Sequence, residues 1–163
     1  MTETNPHHTA EHREEFWDRL EDCRSGMLEV GGRFVPMTHN LEPEDGRIWF
    51  LTAKGTDMAA SAAANEESRY VVSNDSQALY VAVKGVLHRS DDPQKLEEVW
   101  NEMAKLWFEE GKQDPDLELI YLQPKTAEVW LGPESGLKFF WSVVKSKVTD
   151  EEPDFGSHFE LTF

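Results

Sequence analysis

The segment between residues 27 and 53 constrains the fold more than any other part of this chain. It contains three short runs rich in β-branched and aromatic residues, MLEV, RFVPMTHN and RIWFLTA, separated by Gly31-Gly32 and by the turn-forming sequence EPEDG. Short runs of this kind with turn signals between them predict neighbouring antiparallel strands. Pro36 lies inside the second run and has no backbone N–H, so this strand is expected at a sheet edge, a bulge or an opening.

Further strands and several helices are predicted along the rest of the chain. Strand patterns occur in RYVVSN, QALYVAVKGVLHRS, LELIYLQP, TAEVWLG and the tail GSHFELTF. Apolar residues at helical spacing predict helices in EHREEFWDRLEDCR, in DMAASAAA after the capping residue Thr56, and from Asp92-Pro93 through Trp107. A last helix is predicted around Leu137, Phe140, Trp141, Val144 and Val148.

These elements together predict an α+β fold that is mainly β, an antiparallel barrel with helices packed on its outside. A length of 163 residues suits one domain over the whole chain, residues 1–163. Residues 1–8 are polar and are expected to fray.

Charge argues against two classes of partner. Sixteen Lys and Arg against thirty-two Asp and Glu give a formal net charge of −16, which repels nucleic-acid backbones and anionic membrane surfaces. No apolar run approaches the roughly 18 residues that span a bilayer, and the first residues lack the pattern of a signal peptide, so a cytoplasmic location is expected. The same negative field opposes a phosphate-bearing cofactor, which would need strong local donors.

The common enzyme motifs are missing from the sequence. GxSxG, GxGxxG and GxxxxGK[ST] do not occur, and the six histidines are not spaced as metal ligands on one element, so no metal site is predicted. The single cysteine, Cys23, lies on the apolar side of the first predicted helix and is expected to be a buried thiol rather than a nucleophile. No catalytic acid or base is assigned.

The strand-to-helix turn FLTAKGT is the remaining candidate for chemistry. Thr52 and Thr56 offer hydroxyls and Lys54 a positive charge beside a helix N-terminus, where anions are stabilised. A capped helix after a strand is also an ordinary structural feature, and the residues leave both interpretations open. Trp107, Trp130 and Trp141 are expected in the core rather than in a cofactor site.

Residues 100–130, WNEMAKLWFEEGKQDPDLELIYLQPKTAEVW, carry a resemblance to a known family. With Pro36-Met37, the FLT of the turn and the terminal pattern from Gly156 to Phe163, they resemble the general stress protein branch of the pyridoxamine 5'-phosphate oxidase-like, FMN-binding split barrels. The resemblance covers nearly everything from Glu15 to Phe163. It implies a six-stranded split barrel that forms a two-fold homodimer, with FMN between the subunits.

The resemblance also implies where the flavin binds. The strand around Val35, Pro36 and Met37 would lie against the isoalloxazine ring, Thr52 near the ribityl chain and phosphate, and Thr56 on the phosphate. Trp130 and Trp141 would approach from the partner subunit. With the neighbouring residues of the turn and two candidate cations, the full set of predicted cofactor-binding residues is Arg33, Val35, Pro36, Met37, Leu51, Thr52, Ala53, Lys54, Thr56, Met58, Trp130 and Trp141.

Two positions depart from the family pattern, and both concern charge. Relatives commonly have an arginine where this chain has Val35 and a lysine where it has Met58. Losing both would remove charge-assisted hydrogen bonds worth roughly 1.5–3 kcal/mol each. Arg33, on the same strand face as Val35, together with Lys54 and Arg69, are the candidates to replace them.

The functional prediction is an FMN-binding stress protein, acting as a flavin-dependent oxidoreductase or as a flavin carrier. Oxidation of pyridoxamine phosphate is implied only by the shared fold and is discounted. Two alternatives stay open. One is a degenerate, non-catalytic barrel dimer that has lost FMN; the other is a pocket for a different planar ligand, such as a deazaflavin or a heme with His39 as a ligand.

Overall fold

The computed structural model describes residues 6–42, 44–102, 104–132 and 156–163. Short 3-10 turns cover Ala104–Leu106 and Gly111–Gln113. In chain order the helices and strands are α1 (Pro6–Glu21), β1 (Ser25–Val30), β2 (Arg33–Thr38), β3 (Asn40–Leu41), β4 (Ile48–Ala53), α2 (Asp57–Ala63), β5 (Glu67–Asn74), β6 (Leu79–Ser90), α3 (Pro93–Val99), β7 (Leu117–Leu131) and β8 (Ser157–Thr162).

The strands form one antiparallel sheet in the order β2-β1-β5-β6-β7-β4-β3. β7 pairs with β6 along one edge, and along the other with β4 in its first half and β8 in its second. β2 and β4 contact each other although four strands separate them in the sheet, so the sheet curls into a half-barrel. The predicted antiparallel barrel is confirmed, with eight strands among the described residues where the resemblance implied six.

The interior of the barrel is filled by side chains from α1 and from the concave face of the sheet. Phe16 and Leu20 of α1 are fully buried against Phe50, Tyr70 and other strand residues. Each such side chain contributes about 1.5–3 kcal/mol when it leaves water. α1 therefore holds one face of the curled sheet closed, as its apolar spacing predicts.

Several predicted elements are confirmed by the structure. Among the described strands β2 pairs only with β1, so Pro36 lies on an edge strand, where its missing N–H costs no hydrogen bond between strands. Thr56 caps α2, and its side chain accepts a hydrogen bond from the Ala59 N–H. Cys23 is buried, and this burial raises the pKa of its thiol, so it is a packed thiol as expected.

The predicted ends of two helices were wrong. α1 begins at Pro6, before the predicted start at Glu11; proline suits a first turn because its missing N–H would have no helical partner there. α3 stops at Val99, well before Trp107, and the Asn101 side-chain oxygen accepts a hydrogen bond from the Ala104 N–H at 3.1 Å. This side-chain contact starts a 3-10 turn in place of further α-helix.

Two predicted strands, LELIYLQP and TAEVWLG, form the single strand β7. Pro124 lies opposite Gly85, where the register of β6 shifts, and a Cβ on Gly85 would overlap the Gln123 carbonyl. The bulge and the glycine therefore accommodate Pro124 within β7, and the strand does not end there. The predicted last helix, around Leu137 to Val148, lies outside the described residues.

Candidate functional site

A cleft of about 530 Å³ opens where the edge strand β2, the end of β4 and the start of α2 meet the segment after α3. Its volume lies within the roughly 300–1,000 Å³ typical of sites for small molecules and cofactors. Most of its surface is apolar, with hydroxyl and amide groups placed among the apolar side chains. The lining residues are Pro36, Met37, Thr38, Asn40, Leu51, Thr52, Ala53, Thr56, Met58, Asn101, Ala104, Trp107 and Phe108.

One wall of the cleft is the strand-to-helix turn between β4 and α2. The Thr56 hydroxyl donates a hydrogen bond to the Ala53 carbonyl at 2.8 Å and accepts one from the Ala59 N–H at 3.2 Å. Thr52 Oγ1 lies 3.1 Å from Thr56 Oγ1. Since the Thr56 hydrogen is directed to a carbonyl, which can only accept, Thr52 is the donor between the two hydroxyls. The turn therefore presents oxygen lone pairs of Thr52 to the cleft, while the Thr56 hydroxyl is saturated.

The opposite wall is the irregular segment that follows α3. Asn101 Nδ2 donates to Asn40 Oδ1 at 3.2 Å, which ties this segment to β3. Beyond it, Leu106 is 73% exposed and Trp107 is 81% exposed. Large apolar side chains this exposed at the mouth of a cleft are typical of surfaces that meet a ligand or a partner. The expectation that Trp107 lies in the core is wrong, because α3 ends too early to bring its side chain inward.

His39 lies between two cleft residues, Thr38 and Asn40, yet its ring points away from the cleft and into the barrel. Nε2 lies 3.0 Å from the Leu20 carbonyl, and Nδ1 lies 2.7 Å from the Tyr70 hydroxyl. Burial lowers the pKa of His39 despite hydrogen bonds to backbone groups that favour its charged form. A neutral ring whose Nε2–H donates to Leu20 must accept from Tyr70 at Nδ1. Both nitrogens are thereby engaged inside the barrel, which leaves His39 no free nitrogen for a heme iron in the cleft.

The three cations expected to replace missing family charges all lie outside the lining of this cleft. Arg33 pairs with Asp57, the first residue of α2, with its guanidinium 2.9 Å from the carboxylate. Arg69 binds both carboxylate oxygens of Glu29, at 2.6 and 2.9 Å. Lys54 faces a separate groove. Among the described residues that line the cleft, none is charged.

Arg69 belongs to a second concave surface, which we call the charged groove, formed by residues of β1, β5, β6 and β7. Two of its cations lie close to carboxylates: Arg69 binds Glu29, and Lys125 lies 3.0 Å from Glu67. The groove is lined by Glu29, Glu67, Ser68, Arg69, Lys84, Gly85, Lys125 and Thr126.

The remaining predicted site residues are placed as follows. Val35 is half-buried and packs against the barrel core instead of lining the cleft. Trp130 lies on β7, 41% exposed and stacked on His158 with 4.7 Å between ring centroids, so it is neither a core residue nor a lining residue of the cleft in this chain. Trp141 lies outside the described residues. Seven of the twelve predicted residues line one cleft: Pro36, Met37, Leu51, Thr52, Ala53, Thr56 and Met58.

Sequence reasoning missed the lining residues contributed by the strand end and by the segment after α3. Thr38 and Asn40 follow directly after the Pro36-Met37 pair, so their alternation along the strand could have indicated them. Asn101 lies in the WN pair of residues 100–101, on which the family resemblance partly rests. Ala104 and Phe108 carried no comparable signal, because their position depends on where α3 ends.

The described lining residues of the cleft offer hydroxyl and amide groups for binding a ligand. None of its described lining residues is an acid, a base, a cysteine or a tyrosine. Within the described ranges no group of three or more His, Cys, Asp or Glu residues could hold a metal ion. The described helices also include none long and apolar enough to cross a membrane.

Comparison with known proteins gives the family. The model of the family described as "Pyridoxamine 5'-phosphate oxidase like" matches residues 11–154. A crystal structure of a protein assigned as general stress protein 26 from Jannaschia sp. CCS1 has 42% sequence identity and a TM-score of 0.88, over 94% of this chain and 99% of that chain. No match was found among curated proteins.

Two structures from Xanthomonas species are also similar. A general stress family protein from Xanthomonas campestris pv. campestris is 30% identical, with a TM-score of 0.69 over 82% of this chain and 93% of that one. A general stress FMN/FAD-binding protein from Xanthomonas citri is 32% identical, with a TM-score of 0.70 over 78% and 93% of the two chains.

The curled antiparallel half-barrel is thus the fold of the solved relatives as well, and the family model matches most of the chain. The chain belongs to the pyridoxamine 5'-phosphate oxidase-like family. Within that family its structural neighbours are general stress proteins, which confirms the branch that the motif of residues 100–130 indicated.

Proposed function

We propose that this protein is a cytoplasmic flavin-binding protein of the general stress type, which holds an isoalloxazine ring in the cleft beside β2. FMN is the form of the cofactor that the family resemblance implies. The observation that carries the proposal is the convergence of Pro36, Met37, Thr52 and Met58 on one cleft of suitable volume, although they come from separate elements. The FMN/FAD-binding relative from Xanthomonas citri, at 32% identity, supports the same ligand class.

The lining of the cleft fits the ring part of a flavin. Apolar side chains of Pro36, Met37 and Leu51 suit the faces of a planar heteroaromatic ring. Asn40 and Asn101 supply amide donors and acceptors that suit the polar edge of the ring. The fit therefore concerns the ring, whereas the described residues offer no cation for a phosphate.

A flavin would supply its own electron chemistry, so the protein would act as a flavin-dependent oxidoreductase or as a flavin carrier. The cleft residues would bind and orient the ring and exclude water from it. Because the described lining includes no titratable side chain, we assign no general acid or base.

We also propose that the protein is a homodimer that completes the flavin site between its subunits. Leu106 and Trp107, which are largely exposed at the mouth of the cleft, support this proposal, because a partner surface would remove them from water. Sedimentation velocity of the purified protein tests it. A sedimentation coefficient that fits a dimer and falls to that of a monomer in the double variant Leu106→Ser, Trp107→Ser is expected, and a wild-type monomer would contradict it.

Flavin binding is tested by titrating the cofactor-stripped full-length protein and following flavin fluorescence. Ala53→Phe introduces a ring into the cleft and is expected to abolish saturable binding, because the ring occupies ligand space. Ala60→Phe makes the same change at an exposed position of α2 and should bind like the wild type. Equal binding by Ala53→Phe and Ala60→Phe would place the flavin elsewhere, and no binding by the wild type would refute the proposal.

A second candidate function has one specific observation in its favour. A degenerate barrel that has lost the flavin and serves as a dimeric binding module would explain why the described cleft residues include no cation. The same titration separates the two candidates, since such a module would give no saturable flavin signal.

A further inference from the structure

We infer that the cleft recognises the ring and polyol chain of a flavin without holding a phosphate, so that riboflavin binds at least as tightly as FMN. This inference rests on the proposed function and specifies its ligand. The inferred site differs from one that holds the phosphate of FMN. The inference follows from three features of the protein.

The first feature is the placement of the cations. Arg33, the cation of β2 closest in sequence to the cleft residues Pro36 and Met37, is paired with Asp57. Lys54 directly follows the cleft residue Ala53 but lines a separate groove. Asp57, a carboxylate, directly follows the cleft residue Thr56. To gain Arg33 as a charge-assisted donor, a phosphate at this end of the cleft would have to compete with the Asp57 carboxylate that binds it.

The second feature is the hydrogen bonding of the threonine pair. The Thr56 hydroxyl donates to the Ala53 carbonyl and accepts from the Ala59 N–H, and Thr52 donates to Thr56. In this arrangement both hydroxyl hydrogens point to protein oxygens, so a phosphate oxygen, which only accepts, would have to compete for them with the Ala53 carbonyl and with Thr56. Thr52 keeps lone pairs, and these suit a ligand hydroxyl, which can donate. A polyol chain therefore matches this wall better than a phosphate does.

The third feature is the field of the whole chain. A net charge of −16 repels a dianionic phosphate and has no such effect on neutral riboflavin. The two forms of flavin should therefore respond differently to salt, because added ions screen the repulsion that acts on FMN alone.

The experiment is a set of fluorescence titrations of the full-length, flavin-free protein with FMN, riboflavin and lumiflavin, at about 20 mM and about 500 mM NaCl. We expect the dissociation constant of riboflavin to equal or fall below that of FMN. We also expect FMN binding to tighten with salt while riboflavin binding stays the same. Lumiflavin, which lacks the polyol chain, should bind more weakly than riboflavin.

A variant with an introduced cation sharpens the test. Met58 lines the cleft next to Thr56, so Met58→Lys should strengthen FMN binding about tenfold and leave riboflavin within about threefold. Ala60→Lys, which adds the same charge at an exposed position of α2 outside the cleft lining, should change neither affinity by more than about threefold. Met58→Arg replaces Met58→Lys if the latter does not fold.

Two results would overturn the inference alone, and a third would refute the proposed function as well. FMN binding that is about tenfold tighter than riboflavin and weakens with salt would show a phosphate held by cations, and would overturn the inference while leaving the flavin site intact. A folded Met58→Lys protein with unchanged FMN affinity would also overturn it. No saturable binding of any of the three flavins would instead refute the proposed function, and the inference with it.

Discussion

Two polar regions of the molecule lie on opposite sides of the same short stretch, Thr38 to Asn40. Thr38 and Asn40 face the open cleft, whereas His39 between them faces the interior and contacts Tyr70 and Leu20. The interior region is closed and its polar atoms are paired, and no buried side-chain nitrogen or oxygen in the described part of the chain lacks a hydrogen-bond partner. The cleft keeps unused acceptors on Thr52.

The difference between the interior and the cleft shows which polar groups stabilise the fold and which are available to a ligand. A buried polar atom without a partner costs about 1–3 kcal/mol, so the interior group must be satisfied by fixed neighbours. In the cleft, water satisfies the same kinds of atoms until a ligand replaces it. Substitutions on the two sides of residues 38–40 should therefore affect different properties, stability on one side and binding on the other.

The largest effect is expected for His39→Ala. This change leaves a cavity and removes one hydrogen-bond partner each from the Tyr70 hydroxyl, which keeps the Met37 carbonyl, and from the Leu20 carbonyl, which keeps the Cys23 N–H. The free energy of unfolding should therefore fall by about 2–4 kcal/mol. The adjacent change Thr38→Ala, on the exposed side, should alter it by less than about 0.5 kcal/mol. Urea denaturation measures the free energy of unfolding of both variants. Similar losses in the two would contradict the expectation that the interior side serves stability and the cleft side does not.

Tyr70→Phe should destabilise the protein by about 1–2 kcal/mol, because the His39 Nδ1 loses its donor inside the barrel. Tyr80→Phe is the matched control: its exposed hydroxyl donates to Asp75 at 2.7 Å, and its removal should cost less than about 0.5 kcal/mol. Chemical denaturation of both variants gives the values. The interior network would be unimportant for stability if the two tyrosines proved equivalent.

The stability of the protein should depend on the ionisation of His39. Burial lowers its pKa in the folded state below the ordinary value of 6.5, so the unfolded chain takes up the proton more readily. The stability contributed by neutral His39 is present above pH 6.5 and is lost as the pH falls from there towards the folded-state pKa. Between pH 7.5 and 5.5 the wild type should lose about 1 kcal/mol more than His39→Gln, and parallel pH profiles would contradict this.

The smallest effect is expected on the cleft side. Asn101→Ala removes the hydrogen bond to Asn40 that ties the two walls together, and should weaken riboflavin binding about threefold while changing stability little. Asn74→Ala, which removes an amide from the turn between β5 and β6, should not alter binding. Fluorescence titration measures the riboflavin affinity of the two variants. Equal affinities would show that the hydrogen bond between Asn101 and Asn40 does not affect binding in the cleft.

Much of the site could be predicted because it depends on local features. The hydroxyl of Thr56 capping α2 follows from residues within one turn of it, and the edge position of β2 follows from the missing N–H of Pro36. The family motif supplied the fold and grouped seven residues that line one cleft. The predicted roles of these residues toward a flavin remain predictions for the titrations.

The errors concern features that depend on distant parts of the chain. Apolar spacing predicted a helix through Trp107, but Asn101 bonds to the Ala104 backbone and to Asn40, a partner 61 residues away, and leaves Trp107 exposed. Likewise, the predicted strand LELIYLQP ended at Pro124, whereas β7 continues through this residue. Gly85, which lies opposite Pro124 and accommodates it, is on another strand and distant in the sequence.

The sequence by itself determined where most strands lie, the N-terminal caps of α2 and α3, the acidic field and the family. Hydrophobic period, turn chemistry and net charge are properties of neighbouring residues or of the whole composition. Only the tertiary structure decided that Arg33 binds Asp57, that Arg69 binds Glu29, and that His39 turns away from the cleft. Each of these depends on which groups the fold brings within a few ångströms, since ion pairs and hydrogen bonds act over that distance and not along the chain.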